Sequence, residues 1–215
     1  MTAKPTLYHY WRSSASWRVR WAFALKNIEC EFKSINLLTD EAESPEHRAR
    51  NPMGYVPVLE LCDSKGSRYI SQSLAITDWA EHIKPTPSLY PKDLFDRAYC
   101  IQLAEMINAD TAPLQNLPPQ FMYSDDSEKR KAWARHWIEN GLSGYEKLVA
   151  RTAKTFSCGD QVTLADLCLV PQVYNALRYE VHLAQFPIIK RIYETARETN
   201  ACKIASPEAF EPKPK

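Results

Sequence analysis

The pattern of the chain changes once, near residues 84–91, and that change constrains its fold more than any other feature. Before it, short strand-like runs alternate with helical ones; after it, long stretches keep helical period with little strand character. Lys84-Pro85-Thr86-Pro87 stands between the two regimes with the composition of a linker. We therefore expect two domains, residues 1–86 of α/β type and residues 91–215 all-helical. At 215 residues the chain is long enough for each to bury a core.

In the first region Leu7-Tyr8-His9-Tyr10 reads as a strand. Val19, Ala22, Phe23 and Lys26 recur at helical spacing, which predicts a helix over Ser16 to Lys26, and Glu31 to Ile35 alternates like a second strand. Strand, helix, strand implies a parallel pair joined by a right-handed crossover. Thr39 to Arg50 is polar and charged, and Asn51-Pro52-Met53-Gly54 is turn chemistry. Val56 to Glu60 reads as a strand with Pro57 near its start, which suits a sheet edge or an exposed strand end. Cys62 to Ser67 is turn-like, Arg68-Tyr69-Ile70 is the returning strand of a hairpin, and Ser71 or Ser73 caps a helix reaching Ile83.

In the second region helical period covers Asp93 to Thr111, Asp126 to Val149, Leu164 to Arg178 and Pro187 to Thr199, with breaks at Pro113 and Pro118-Pro119. Thr163-Leu-Ala-Asp166 has the spacing of an N-capping box, with Val162 and Leu167 placed as a hydrophobic staple. It predicts a sharply started, buried helix. The tail, Glu211 to Lys215, is expected to be disordered.

Composition narrows the function classes. With 45% hydrophobic and 25% charged residues the chain is an ordinary globular protein. A formal net charge of +1 gives no broad field for nucleic acid or an anionic membrane, and neither is expected as a partner. No apolar run approaches the roughly 18 residues that span a bilayer, and Met1-Thr-Ala-Lys-Pro5 lacks the apolar segment of a secretory signal. The six cysteines, at 30, 62, 100, 158, 168 and 202, form no C-x-x-C pair, so neither a disulfide framework nor structural zinc is expected. The five histidines show no ligand spacing, and no metal is expected. The expected compartment is the cytoplasm.

The residues that carry chemistry lie in Trp11-Arg12-Ser13-Ser14-Ala15-Ser16-Trp17-Arg18, where a strand ends and a helix begins. Backbone N–H groups are unpaired at such a place and the helix dipole favours negative charge. A serine hydroxyl there can donate to a bound thiolate and lower the pKa of the thiol. Read locally, Ser13, Ser14 and Ser16 are helix-cap candidates before they are a site. Two further features add weight to the site reading. A cis peptide at Val56-Pro57 would turn the Val56 backbone toward that helix start. Gln72-Ser73 offers a second helix start for a carboxylate. Two helix starts with a bare strand edge between them suit a small anionic thiol peptide.

At this point the chain resembles the zeta-class glutathione transferases, the group that includes maleylacetoacetate isomerase. The resemblance runs from about Leu7 to Pro207. In the N-terminal half it rests on Arg12-Ser13-Ser14 with Ser16 to Arg20, Asn51 to Gly54 with Val56-Pro57, and Gln72 to Ile76. In the C-terminal half it rests on Leu114-Gln115-Asn116-Leu117 and on Thr163 to Val173. It implies a thioredoxin-like N-terminal domain, an all-α C-terminal domain, glutathione as cofactor and a homodimer. It also implies that Ser13, with Ser14 as the alternative, activates the thiol. The other implied cofactor contacts are Ala15, Ser16, Trp17, Arg18, Val56, Gln72, Ser73, Asn116 and Leu117. Arg12 and Arg178 are the implied ligands of a small dicarboxylate substrate, whose carboxylates suit guanidinium forks. The implied reaction is cis–trans isomerisation of maleylacetoacetate to fumarylacetoacetate, in aromatic amino-acid breakdown. Maleylpyruvate isomerisation, α-halo-acid transfer and a non-catalytic binding or assembly module stand beside it as alternatives.

The chain departs from the family pattern at three places. Ala15 replaces the cysteine of Ser-Ser-Cys-Ser, so no protein thiol adjoins the serines. Ala42-Glu43 and Ala112 stand where the family has glutamines near glutathione. Each lost hydrogen bond to a charged ligand is worth roughly 1.5–3 kcal/mol.

Overall fold

The computed structural model describes residues 4–213 and divides into two units, residues 4–87 with 200–213, and Ser88–Thr199. Met1 to Ala3, and Pro214 and Lys215 of the expected disordered tail, lie outside the described residues.

In the first unit β1 (Thr6–His9) is buried throughout and occupies the middle of a four-stranded sheet of order β2-β1-β3-β4. β2 (Glu31–Ser34) pairs with it in parallel, and the crossover is α1 (Ser14–Leu25), as the strand–helix–strand pattern predicts. β3 (Val58–Asp63) runs antiparallel to β1, and β4 (Gly66–Ser71) antiparallel to β3. Both are longer than the pattern predicts, leaving only Ser64 and Lys65 between them. Pro57 is buried and precedes a strand interior to the sheet, so it takes neither expected setting, a sheet edge or an exposed strand end. It stands one residue before the first ladder pair of β3, where its missing N–H removes no ladder bond.

Alternating residues of the strands serve two faces. Leu7 and Leu59 meet Val19 and Phe23 of α1 and Ile76 and Ala80 of α3 (Ser73–Ile83). Tyr8 and Val58 meet Tyr10, Ile35, Ala42 and Val56 on the other face. The polar stretch after Thr39 holds a 3-10 turn at Asp40–Glu43 and the short α2 (Pro45–Arg50), which Ser44 caps. Lys26, fully buried, donates to the Lys84 and Pro87 carbonyls at 2.7 Å each and pairs with Glu81 at 2.6 Å, which fixes the end of α3. Thr86–Pro87 is cis, as is Val56–Pro57.

In the second unit Asp93 caps α4 (Leu94–Glu105) through the N–H groups of Phe95 and Asp96. The predicted continuous helix to Thr111 loosens into a π turn at Met106–Thr111, where the Thr111 hydroxyl bonds the Met106 carbonyl at 2.7 Å. Pro118-Pro119, predicted as a break, instead opens α5 (Leu117–Tyr123), because proline is well suited to a first helical turn whose N–H groups have no partner. α6 (Ser127–Val149), α7 (Leu164–Arg178) and α8 (Pro187–Glu198) follow. The capping box forms: the Asp166 carboxylate accepts the Thr163 N–H at 2.8 Å, its hydroxyl at 2.9 Å and the Ser157 N–H at 2.8 Å. Burial raises the Asp166 pKa against the pull of those three donors.

The second domain, expected to run to residue 215, ends at Thr199. From Asn200 the chain belongs to the first unit, where α9 (Asn200–Ala205) packs on α1 and is followed by α10 (Pro207–Phe210). α1 is buried from Ser16 to Phe23 without interruption, so it needs cover on the side away from the sheet, and α9 supplies it. Helical period in the sequence identifies α9 but not its partner.

A candidate thiol-peptide site at two helix starts

Strand register brings three segments to one end of the sheet. Tyr8 pairs with Val58, and Val58 pairs with Ser71. Continuing both antiparallel ladders by two residues places Val56 between Tyr10, which leads into α1, and Ser73, which begins α3. Arg18 then ties the two helix starts together, its Nη1 donating to Ser73 Oγ at 3.3 Å. Neither helix has an acidic residue in its first turn, so both positive dipole ends remain available to an anion.

Ser13 is the N-cap of α1. Its Oγ accepts the Ser16 N–H at 3.2 Å, and its own N–H donates to the Tyr10 carbonyl at 3.1 Å. As an acceptor in the cap it keeps its O–H as a donor. Cap and thiol-activating donor are therefore compatible roles for one hydroxyl. Ser14 and Ala15 are half-buried in the first turn, and Arg12, also half-buried, lies over the Trp11 ring at 5.3 Å.

Ser16, Trp17 and Arg18 are at most 2% exposed, and the Ser16 Oγ accepts the Tyr10 N–H at 3.4 Å. As direct cofactor contacts these three side chains are out of reach of a bound molecule. They pack and brace the turn instead, because α1 buries its whole circumference.

Val56 follows the expected pattern in its backbone. Its peptide to Pro57 is cis, and no hydrogen bond among the described residues engages its N–H or carbonyl. Gln72 is exposed and holds φ 75°, ψ 118°, with no side-chain cap bond. The other positive-φ residues with side chains, Asn27 and Glu180, directly follow the C-caps of α1 and α7, where left-handed backbone is common. Gln72 stands at a helix start, where no capping motif accounts for it, and strain of this kind clusters at ligand sites.

Three implied residues belong to the second unit. Asn116 and Leu117 are exposed at the start of α5. Gln115 and Gln172 exchange reciprocal amide bonds at 2.8 Å, and Gln120 donates to the Gln115 carbonyl at 2.6 Å and the Tyr179 hydroxyl at 2.8 Å. Those buried bonds fix the segment that presents Asn116. Arg178 is exposed at the end of α7, donating to Asn175 Oδ1 at 3.1 Å. Of the departures, Ala42 is buried in the cluster with Tyr8, Tyr10 and Val56, and Ala112 closes the π turn through its N–H to the Ile107 carbonyl at 2.8 Å.

Sequence reasoning overlooked what stands behind the serine turn. His9 and Arg20 are both buried, with Arg20 Nη1 at 3.1 Å from His9 Nδ1. Burial, reinforced by the Arg20 charge, pulls the His9 pKa down to about 4, so the ring is neutral at pH 7. Burial also lowers Arg20, to about 9, and it remains a cation. The available signal was an arginine inside an otherwise fully apolar helical turn, Val19 to Phe23.

Comparison with known proteins places the chain in one family. Residues 7–88 match the family described as glutathione S-transferase, N-terminal domain, and residues 115–204 its C-terminal domain. Maleylacetoacetate isomerase of Dictyostelium discoideum is 44% identical over 194 residues, covering 88% of this chain and 87% of that protein. Maleylacetoacetate isomerase from Anaeromyxobacter dehalogenans has been solved with GSH bound in its active site. It superimposes with a TM-score of 0.90 at 40% identity, covering 98% of both chains. The same enzyme has been solved with dicarboxyethyl glutathione and citrate there. A maleyl pyruvate isomerase, a bacterial zeta-class glutathione S-transferase, superimposes at 0.90 with 33% identity, covering 97% of this chain and 100% of that one. The chain belongs to the glutathione-transferase family and, within it, to the zeta-class group that contains the maleylacetoacetate isomerases.

Proposed function

We propose that this protein is a glutathione-dependent isomerase that converts maleylacetoacetate to fumarylacetoacetate in aromatic amino-acid breakdown, with accompanying glutathione transferase capacity. The observation that carries the reading is the Ser13 hydroxyl, fixed as the cap of α1 with its proton still free to donate. The donor set fits glutathione: a hydroxyl at one helix start for sulfur, an unengaged peptide at Val56, and an uncapped second helix start at Gln72 and Ser73 for a carboxylate. Bound glutathione supplies the nucleophilic sulfur that lets the cis double bond turn.

The remaining work falls to the protein. Ser13 donates to the sulfur and holds it as the anion, with Ser14 as the alternative donor. The α1 dipole adds to that stabilisation. The backbone N–H and carbonyl of Val56 pair with the tripeptide, the α3 start with Gln72 and Ser73 holds its γ-glutamyl end, and Asn116 and Leu117 add contacts. Arg12 and Arg178 hold the carboxylates of the substrate, and their charge favours the negative charge that develops on its carbonyl oxygen. With Ala15 beside the serines, the reactive sulfur is the cofactor's alone. The two-domain arrangement of an N-terminal cofactor domain and a helical substrate domain, a homodimeric assembly and a cytoplasmic location complete the proposal. Among the described residues no helix is long and apolar enough to cross a membrane.

Maleylpyruvate is the second substrate to weigh, because a maleyl pyruvate isomerase superimposes as well as the maleylacetoacetate enzyme does. Steady-state rates on maleylacetoacetate, maleylpyruvate and an α-halo acid, each with and without glutathione, separate the readings. The expected result is fastest turnover of maleylacetoacetate, only with glutathione. No glutathione-dependent turnover of any of the three would favour a non-catalytic binding or assembly module.

A further inference from the structure

Arg20 has no part in the chemistry described above, yet its setting is unusual for a cation. It is 1% exposed, and none of its hydrogen-bond partners is a carboxylate. Its Nε donates to the Ala205 carbonyl at 2.9 Å, Nη2 to the Trp11 carbonyl at 2.9 Å, and Nη1 to the Tyr10 carbonyl at 3.3 Å. The guanidinium carbon stands 4.6 Å from the centre of the Phe210 ring. Burying a charge is costly without compensation; here oriented carbonyls and a ring face replace water.

Two of those carbonyls belong to the turn that delivers Ser13. The Tyr10 carbonyl accepts both Arg20 Nη1 and the Ser13 N–H, so one oxygen links the guanidinium to the cap. The other end of the fork is anchored on α9 and α10, where Phe210 packs edge-on against His9 at 5.2 Å and Phe32 at 4.9 Å. To accept from the guanidinium, His9 must present a bare Nδ1, which the neutral ring does in its Nε2–H tautomer. The other cations nearby, Arg12 on the Trp11 ring and Arg18 on Ser73, make none of these bonds.

We propose that Arg20 is a positioning residue, its fork locking the Tyr10–Trp11 peptide units against the C-terminal helices so that the Ser13 hydroxyl is aimed at the bound sulfur. This rests on the reading of Ser13 as the thiol-activating group. Hydrogen bonds weaken steeply with misalignment, so loss of the fork raises the thiol pKa while the peptide contacts at Val56 and α3 still bind glutathione. A lysine keeps the charge but cannot span two carbonyls as a planar fork does.

The test titrates the thiolate absorbance of glutathione bound to the wild type, Arg20→Lys, Phe210→Ala and Ser13→Ala, with glutathione affinity and melting temperature measured on each. Ser13→Ala is expected to raise the bound-thiol pKa by about one unit or more. Arg20→Lys is expected to raise it by about half a unit or more with affinity within about twofold of wild type, and Phe210→Ala less in the same direction. If Arg20→Lys does not fold, Phe210→Ala decides. A lower melting temperature with an unchanged thiol pKa in the Arg20 and Phe210 variants, while Ser13→Ala shifts it, overturns the positioning role alone. No shift in Ser13→Ala overturns the reading of Ser13 and this role with it.

Discussion

At the scale of single residues, Ser13 shows that cap and proposed site role need not compete for one hydroxyl. It caps α1 through its oxygen and keeps its proton for a ligand. Ser13→Ala is expected to cost about 1 kcal/mol of stability through the lost cap and to lower kcat/KM by about ten- to a hundredfold. Ser14→Ala should do markedly less, and kinetics on the two variants in parallel check the assignment. Gln72 is the other residue whose role shows in its backbone. Its φ of 75° favours glycine, so Gln72→Gly is expected to raise the melting temperature by relieving strain. Loss of its side-chain amide should weaken glutathione binding in the same variant. A fall in both stability and affinity would place the residue in the scaffold instead.

At the scale of elements, α7 depends on a single buried carboxylate. Asp166→Ala removes the acceptor of three hydrogen bonds and leaves buried donors at Thr163 and Ser157 without it. A loss of roughly 3–5 kcal/mol is expected in chemical denaturation. Gly141, inside α6, gives up helix propensity for close approach, since a Cβ there would lie 2.0 Å from Thr111 Oγ1. Gly141→Ala is therefore expected to destabilise by about 1–3 kcal/mol despite alanine's better propensity. The capping box and the strand–helix–strand order were legible in the sequence because they are set by local spacing. The opening of α5 by Pro118-Pro119 was misread because proline ends one helix and starts another with the same letters. The burial of Ser16, Trp17 and Arg18 was illegible because it comes from packing on all sides of α1, which periodicity does not report, and the strain at Gln72 because residue spacing carries no sign of a backbone angle.

At the scale of the whole molecule, the first unit is closed by its own C-terminus, with Ala205 and Phe210 meeting Arg20 and His9 behind the serine turn. That closure has a pH signature. His9 has its pKa lowered from 6.5 to about 4 in the folded state, so the unfolded chain binds the extra proton first as pH falls. The stability it contributes is complete above pH 6.5 and is lost on the way down to about 4, a difference of about 3 kcal/mol. Asp166, raised by burial, works with the opposite sign, over a range that opens at its ordinary 3.8 and extends upward. Melts across this window should therefore show a falling stability in the wild type and a flatter profile in His9→Gln. The central claim, that this end of the sheet binds glutathione and Ser13 ionises it, is tested most directly by calorimetric titration with glutathione at pH 7 in buffers of different ionisation enthalpy. The account predicts binding below millimolar concentration with release of a proton in the wild type, and binding without that release in Ser13→Ala. Absence of binding at millimolar glutathione, or equal proton release from both proteins, would contradict it.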